Sequence, residues 1–184
     1  MRLYLVRHPQ PVIEADTCSG SADIDVAAAQ REQVCAALLA SLPKDAAMYS
    51  SPLRRCADLA RQLASGFDSR EVIIDARLVE MDFGDWELRR WSDIPRAEID
   101  AWTADVVAYR PGGGESVLEM AKRVLAFRDD LLSSAHQSAV IICHAGTIRM
   151  LLACQRQLPL MEMARYAALE QRRFGYGEVL AIDL

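Results

Sequence analysis

The sequence predicts an α/β protein built around a largely parallel sheet, and three observations carry that prediction. Two short apolar runs, Leu3 to Val6 and Ser138 to Cys143, are too short for helices, and each is closed by a histidine, His8 after Arg7 in the first and His144 in the second. Other segments, rich in Ala, Leu, Glu and Gln, place apolar residues at helical spacing. The two kinds of segment alternate along the chain, as they do when strands are joined by crossover helices.

Taken in order, the first strand closes at Arg7-His8-Pro9. A residue before proline is pushed out of the helical region, so His8 is expected in extended backbone. Gln10 to Asp25, containing Pro11 and Ser19-Gly20-Ser21, reads as an ordered loop. Val26 to Leu42 reads as a helix stopped by Pro43, and Ala46 to Tyr49 as a short strand. Ser51-Pro52 predicts a helix start, with the serine as N-cap and the proline at the first helical position. That helix carries Leu53, Ala57, Ala60 and Leu63 or Ala64 on one face and ends at Gly66.

Val72-Ile73-Ile74 is a third strand, leading into the acidic loop from Glu80 to Glu87. Ile99, Trp102, Val106 and Tyr109 fall at helical spacing up to Pro111-Gly112-Gly113-Gly114, which reads as a turn or hinge because no P-loop Lys follows. Ser116-Val117-Leu118-Glu119 fits a capping box, with a helix running to about Leu132. After the second apolar strand, Ala145-Gly146-Thr147 turns into a helix through about Cys154. Two weaker strands are expected near Tyr166 to Leu169 and Val179 to Ile182.

A chain of 184 residues with 52% hydrophobic content is long enough for one sizeable core, which predicts one domain over residues 1–184. No apolar run approaches a membrane span, and the N-terminus opens as a strand rather than as a signal segment. The five cysteines are odd in number, widely spaced and without a CxxC pair, which predicts reduced thiols in a cytoplasm and neither a disulfide framework nor a zinc site. A net charge of -5 without a dense Lys/Arg block argues against nucleic acid as a partner. An anionic substrate would therefore need local positive charge.

Candidate chemistry starts with the histidines. The C-terminal ends of neighbouring parallel strands face one crevice, so His8 and His144 are expected to meet there. For either one alone, an ordinary strand-end histidine bonded to backbone is the competing reading. Arg7 adds positive charge beside His8. Arg54 and Arg55 lie at a helix start, where free N–H groups and a bidentate guanidinium suit a phosphate, and either or both could equally be solvated surface arginines. A phosphate so held would present its phosphorus to His8, a nitrogen nucleophile when unprotonated. The departing alkoxide needs a proton, which Glu80, between apolar neighbours in its loop, could deliver. Asp82, Asp85 and Glu87 compete for that role, or the whole loop is simply solvated. Cys143 and His144 point to opposite faces of an extended chain and so make no dyad. His136 reads as a surface residue; Trp86, Trp91 and Trp102 read as packing residues, Trp86 with a second use against substrate.

Arg7-His8, Ser51-Pro52-Leu53-Arg54-Arg55-Cys56, Glu80-Met81-Asp82-Phe83-Gly84-Asp85-Trp86-Glu87, Pro111-Gly112-Gly113-Gly114-Glu115-Ser116 and His144-Ala145-Gly146 occur in the order of the histidine phosphatase superfamily, which the chain resembles over nearly its whole length. The resemblance implies a three-layer αβα sandwich with an antiparallel edge strand, as in phosphoglycerate-mutase-like proteins. It implies His8 as the nucleophile that becomes a phosphohistidine, Arg7 and Arg55 as the phosphate clamp, His144 as the second histidine and Glu80 as the proton donor. Arg55 is preferred to Arg54 because the family's arginine stands directly before the small residue that here is Cys56. Neither a metal nor another cofactor is implied.

The Arg-His-Pro-Gln-Pro opening with Cys18-Ser19-Gly20 and Asp23 is similar to alpha-ribazole phosphatases of cobalamin assembly, which adds Gln10, Ser19 and Gly20 to the expected substrate contacts. Pro9, Ser19 and Leu88 depart from the family's more usual Gly, Tyr and Gly. The expectation is a phosphomonoesterase acting on a small phosphorylated metabolite, with alpha-ribazole 5'-phosphate leading. Its rivals are a broad-specificity or sugar-phosphate phosphatase and a catalytically silent relative that binds a phosphorylated ligand. Oligomeric state is open, a homodimer included.

Overall fold

A computed structural model describes residues 1–67 and 71–184. Its elements are β1 (Arg2–Arg7), α1 (Ala28–Ser41), β2 (Ala47–Ser50), α2 (Arg54–Gly66), β3 (Val72–Ile74), α3 (Arg96–Ala104), α4 (Val117–Leu132), β4 (Ser138–Cys143), α5 (Ala145–Cys154), α6 (Leu160–Leu169) and β5 (Val179–Asp183). The five strands form one sheet in the order β3-β2-β4-β1-β5. All pairings are parallel except that of β5, which runs antiparallel to β1 at the edge.

The two apolar runs are the central strands, and a parallel sheet covered on both faces needs them apolar at every position. Alternation along each strand divides the core. Leu3, Leu5, Ile141 and Cys143 pack under α4, α5 and α6, whereas Val6, Val140 and Ile142 pack under α1 and α2. This gives helices on both sides of the sheet, the three layers that were expected. A smaller aromatic cluster, with Trp86 and Ile94 buried and Phe83, Trp91 and Trp102 around them, supports the acidic loop.

The register of β1 on β4 pairs Arg7 with Cys143, and the His8 N–H donates to the Cys143 carbonyl at 3.0 Å. One residue further along each strand stand His8 and His144, which the pairing therefore sets side by side. The capping box at Ser116 forms as expected: Glu119 Oε2 accepts from the Ser116 N–H at 2.8 Å, and Ser116 Oγ accepts from the Glu119 N–H at 3.2 Å.

Three expectations fail. Ser51-Pro52 does not start the second helix, which begins at Arg54 behind Leu53 without a cap from its own preceding residues. The Arg54 N–H instead donates at 2.7 Å to Asp23 Oδ1, a carboxylate brought in from the loop. Tyr166 to Leu169 is the last part of α6 and not a strand, because Met163, Ala164 and Ala167 fall on one helical face against α4 and α5, overriding any local β preference. The helical spacing read up to Tyr109 stops at Ala104, with Val106 in the turn that follows and Tyr109 just beyond it.

Candidate active site

His8 and His144 have ring centroids 5.0 Å apart at the C-terminal edge of the sheet, and both are buried. His8 Nδ1 lies 2.7 Å from the Pro9 carbonyl oxygen. A carbonyl can only accept, so that nitrogen carries the proton and Nε2 keeps its lone pair. Burial, then the positive charge of Arg55 and of Arg7, pulls the His8 pKa down from 6.5 to about 3, so the ring is neutral at ordinary pH. Burial likewise holds His144 well below the usual histidine range, with His8 and Arg55 adding to the effect. Arg55 Nε donates to His144 Nδ1 at 3.3 Å, and His144 Nε2 sits 2.9 Å from Ser51 Oγ. The thiol of Cys56, raised by burial and thus uncharged, lies 3.5 Å from the same Nε2.

The helix phase of α2 separates its two leading arginines. Arg54 points outward to Asp23 and Asp25, at 3.0 and 2.8 Å. Arg55 is 4% exposed and donates to the Ala22 and Gly20 carbonyls at 2.6 and 2.5 Å. Each terminal nitrogen keeps a second N–H outside these bonds. The carbonyls are held in turn by Glu87, whose carboxylate accepts from the backbone N–H groups of Gly20, Ser21, Ala22 and Phe83 at 3.0, 2.9, 3.2 and 3.0 Å. Gly20 allows this close packing: a Cβ there would lie 1.8 Å from the Met81 carbonyl oxygen. Glu87 is thus an anchor for the loop that positions Arg55.

Arg7 reaches the same crevice from the end of β1, donates through a terminal nitrogen to the Phe174 carbonyl, and lies 3.9 Å over the Tyr176 ring. Glu80 Oε1 accepts from the Met81 N–H at 3.0 Å and Oε2 from the Gly146 N–H at 2.8 Å, which places the carboxylate at the N-terminus of α5, whose N-cap is His144. Its competitors are engaged elsewhere or turned away. Asp82 accepts from Gly84 N–H and Ser21 Oγ at 2.8 and 3.0 Å, Glu87 anchors the loop, and Asp85 is exposed.

A cavity of about 580 Å³ opens beside Arg7, Glu80 and Ser19, walled by aromatic residues that include Phe83, Trp91 and Trp102. Trp86, given a possible second use in the sequence reading, is fully buried and donates to Glu98 at 2.6 Å. Gln10 is exposed, makes no hydrogen bond to another described residue and is not on the cavity wall. Gly20 contributes a carbonyl to Arg55 and no surface to the cavity. Sequence reasoning missed Ser51 as the partner of His144, and Tyr176, whose ring lies 5.6 Å from that of His8. The available signal for Tyr176 was an aromatic residue between two glycines just before the edge strand.

Among the described residues, no group of three His, Cys, Asp or Glu side chains is placed to share a metal ion, and no helix is long and apolar enough to cross a membrane. What the crevice offers is a neutral imidazole with a free lone pair, two guanidinium groups and a carboxylate at a helix N-terminus. That combination suits nucleophilic attack on an anionic electrophile.

The chain belongs to the histidine phosphatase superfamily (branch 1), whose family model matches residues 3–172, and it is a phosphatase. Among individual relatives it is 31% identical to the adenosylcobalamin/alpha-ribazole phosphatase of Salmonella typhimurium over 167 residues, covering 86% of this chain and 81% of that one. It is also 31% identical to the glucosyl-3-phosphoglycerate phosphatase of Mycolicibacterium vanbaalenii over 171 residues, covering 86% and 76%. The alpha-ribazole phosphatase of Shigella flexneri superposes with a TM-score of 0.82 at 30% identity, over 100% of this chain and 91% of that one.

Proposed function

We propose that the chain is a phosphomonoesterase that works through a phosphohistidine on His8 and hydrolyses a small phosphorylated metabolite in the cytoplasm. The observation that carries the mechanism is the bond from His8 Nδ1 to the Pro9 carbonyl, which leaves Nε2 as the nucleophile. Arg7 and Arg55 hold the phosphoryl oxygens, their guanidinium groups take up the charge that grows on them, and His144 orients Arg55 by accepting from its Nε. The Nε2 lone pair forms a bond to phosphorus while the ester P–O bond breaks, and Glu80 as a carboxylic acid gives its proton to the departing oxygen. Glu80 as a carboxylate then takes a proton from water, whose oxygen attacks phosphorus, breaks the P–N bond and releases inorganic phosphate. The five free, buried cysteines support a reducing compartment.

Hydrolysis of p-nitrophenyl phosphate that His8→Ala abolishes, together with an acid-labile, alkali-stable phosphoryl group trapped on His8, is the expected result. Turnover that survives His8→Ala unchanged would overturn the mechanism and leave the other residues without a reaction to serve.

Two substrate readings follow. Alpha-ribazole 5'-phosphate is supported by the likeness to alpha-ribazole phosphatases and by the aromatic wall, against which a nucleoside base would stack. A phosphate ester of a different, acidic alcohol is supported by Arg149 and Arg173, which line the same cavity without a carboxylate partner among the described residues.

A further inference from the structure

Polar atoms buried in a folded protein are nearly always hydrogen-bonded, and those left without a protein partner show where donors are in excess. Among the described residues four buried side-chain atoms lack a hydrogen-bond partner: Arg7 Nε, Trp102 Nε1, Arg149 Nε and Arg128 Nε, of which the last lies 3.0 Å from Asp129 Oδ1 as an ion pair. Three of the four belong to residues lining the cavity of about 580 Å³ that holds Arg7 and Glu80. All are N–H donors, and none is an acceptor.

Charge points the same way. Arg7, Arg149 and Arg173 all line this cavity, and none has a carboxylate within ion-pair distance among the described residues. Arg149 makes only a long bond, 3.3 Å, to the Arg172 carbonyl. Among the described residues the only acidic one on the wall is Glu80, whose two oxygens are engaged by Met81 and Gly146. With Arg7 assigned to the transferred phosphate, two guanidinium groups remain for another part of the substrate. Apart from Thr17 and Ser19, the rest of the wall is apolar or aromatic, and Trp91 and Trp102 stack there at 6.1 Å with planes 7° apart.

We infer that this cavity takes an alcohol with two features, an apolar or aromatic body against the tryptophan wall and a carboxylate facing Arg149 and Arg173. The inference rests on the phosphatase reading, and it favours the second substrate reading over alpha-ribazole 5'-phosphate, whose alcohol is an uncharged nucleoside. A carboxylate there would accept from a guanidinium as it enters a cavity that excludes part of the solvent, where a charge-assisted hydrogen bond is stronger than in water.

The test compares two esters that differ in one group: phospho-phenyllactate, and the ester in which a methyl group replaces its carboxylate. The readout is the ratio of their kcat/KM values on one preparation, which does not depend on how much of a variant is folded. In the wild-type protein the carboxylate ester is expected to be favoured, and in the double variant Arg149→Gln, Arg173→Gln the ratio is expected to fall by on the order of tenfold. A ratio that the double variant leaves unchanged would overturn the inference, as would turnover of p-nitrophenyl phosphate with neither ester accepted. Faster turnover of alpha-ribazole 5'-phosphate than of phospho-phenyllactate would also count against it. All three outcomes leave His8-dependent hydrolysis intact; if that is lost instead, the phosphatase mechanism fails first and takes the inference with it.

Discussion

Adding one methyl group at Gly146 should remove the proposed acid without touching its carboxyl group. A Cβ built there would lie 2.2 Å from Glu80 Oε1, 3.0 Å from its Cδ and 3.2 Å from Oε2. To restore ordinary contact the carboxylate must travel roughly 1 Å, and displacements of that size cost on the order of 100-fold in rate when they strike a reacting group. The bond from Gly146 N–H to Oε2, 2.8 Å long, opens in the same movement. A positioned general acid is worth about 10²–10⁴ in rate, so the expected loss in Gly146→Ala is about 100-fold, or about 3 kcal/mol of transition-state stabilisation. The backbone itself tolerates alanine: residue 146 is in α5 and outside the positive-φ positions, and alanine is the better helix former.

The leaving group separates a lost acid from a damaged fold. Phenylethyl phosphate expels a strongly basic alkoxide and needs the proton, whereas p-nitrophenolate leaves without one. In rapid-quench experiments, formation of phosphohistidine from the alkyl ester should slow by about 100-fold in Gly146→Ala. The initial burst of p-nitrophenolate should persist, followed by a slowed steady state, because release of the phosphoryl group to water uses the same carboxylate as a base. Glu80→Gln, which keeps the volume and removes the proton, should give the same signature. If Gly146→Ala slowed both first turnovers equally, or neither, Glu80 would not be the acid.

Acid stability should report on His8. Its folded pKa lies near 3, below the unfolded 6.5, so between these values the unfolded chain binds a proton that the folded chain does not. The stability is therefore full above about pH 6.5 and declines as pH falls towards 3; at pH 5 this one group accounts for about 2 kcal/mol. His8→Gln should shrink the fall in Tm between pH 7 and pH 5 by several degrees, the remainder belonging in part to His144, which is shifted the same way; an undiminished fall would contradict the assignment. Leu88 holds φ at +62° with its side chain 59% exposed, a backbone that costs a residue with a Cβ about 1–2 kcal/mol. After the greater unfolded-state freedom of glycine is deducted, Leu88→Gly should stabilise by about 0.5–1 kcal/mol and raise Tm by about 1–3 °C, and a lower Tm would refute this.

What could be read from the sequence was chemistry completed within a few residues or enforced by burial on both sides of a strand. The capping box at Ser116 closes over three residues, and Leu3 to Val6 and Ala139 to Cys143 are apolar because they lie in the middle of a covered parallel sheet. Their shared histidine ending was legible for the same reason: parallel neighbours in register finish together. The family resemblance chose Glu80 among its acidic neighbours and Arg55 over Arg54. The phase at which α2 meets the sheet turns Arg55 inward and leaves Arg54 to Asp23 and Asp25, a matter no local pattern records.

Ser51 shows why the rest was hidden. By local rules a serine before a proline is an N-cap, and the chain does approach that arrangement, with Ser51 Oγ 3.4 Å from the Leu53 N–H. The hydroxyl is better engaged 2.9 Å from His144 Nε2, 93 residues away, and Asp23 caps α2 from a loop 31 residues upstream. These two exchanges belong together. Taking the serine away from the helix start fixes the tautomer of His144, because Nδ1 accepts from Arg55 and Nε2–H then donates to Ser51. Bringing Asp23 to the helix start draws the loop over α2, where the Gly20 and Ala22 carbonyls seize Arg55. A local rule fails at Ser51 because the site uses that hydroxyl, and such departures from short-range preference are where a sequence bends to its function.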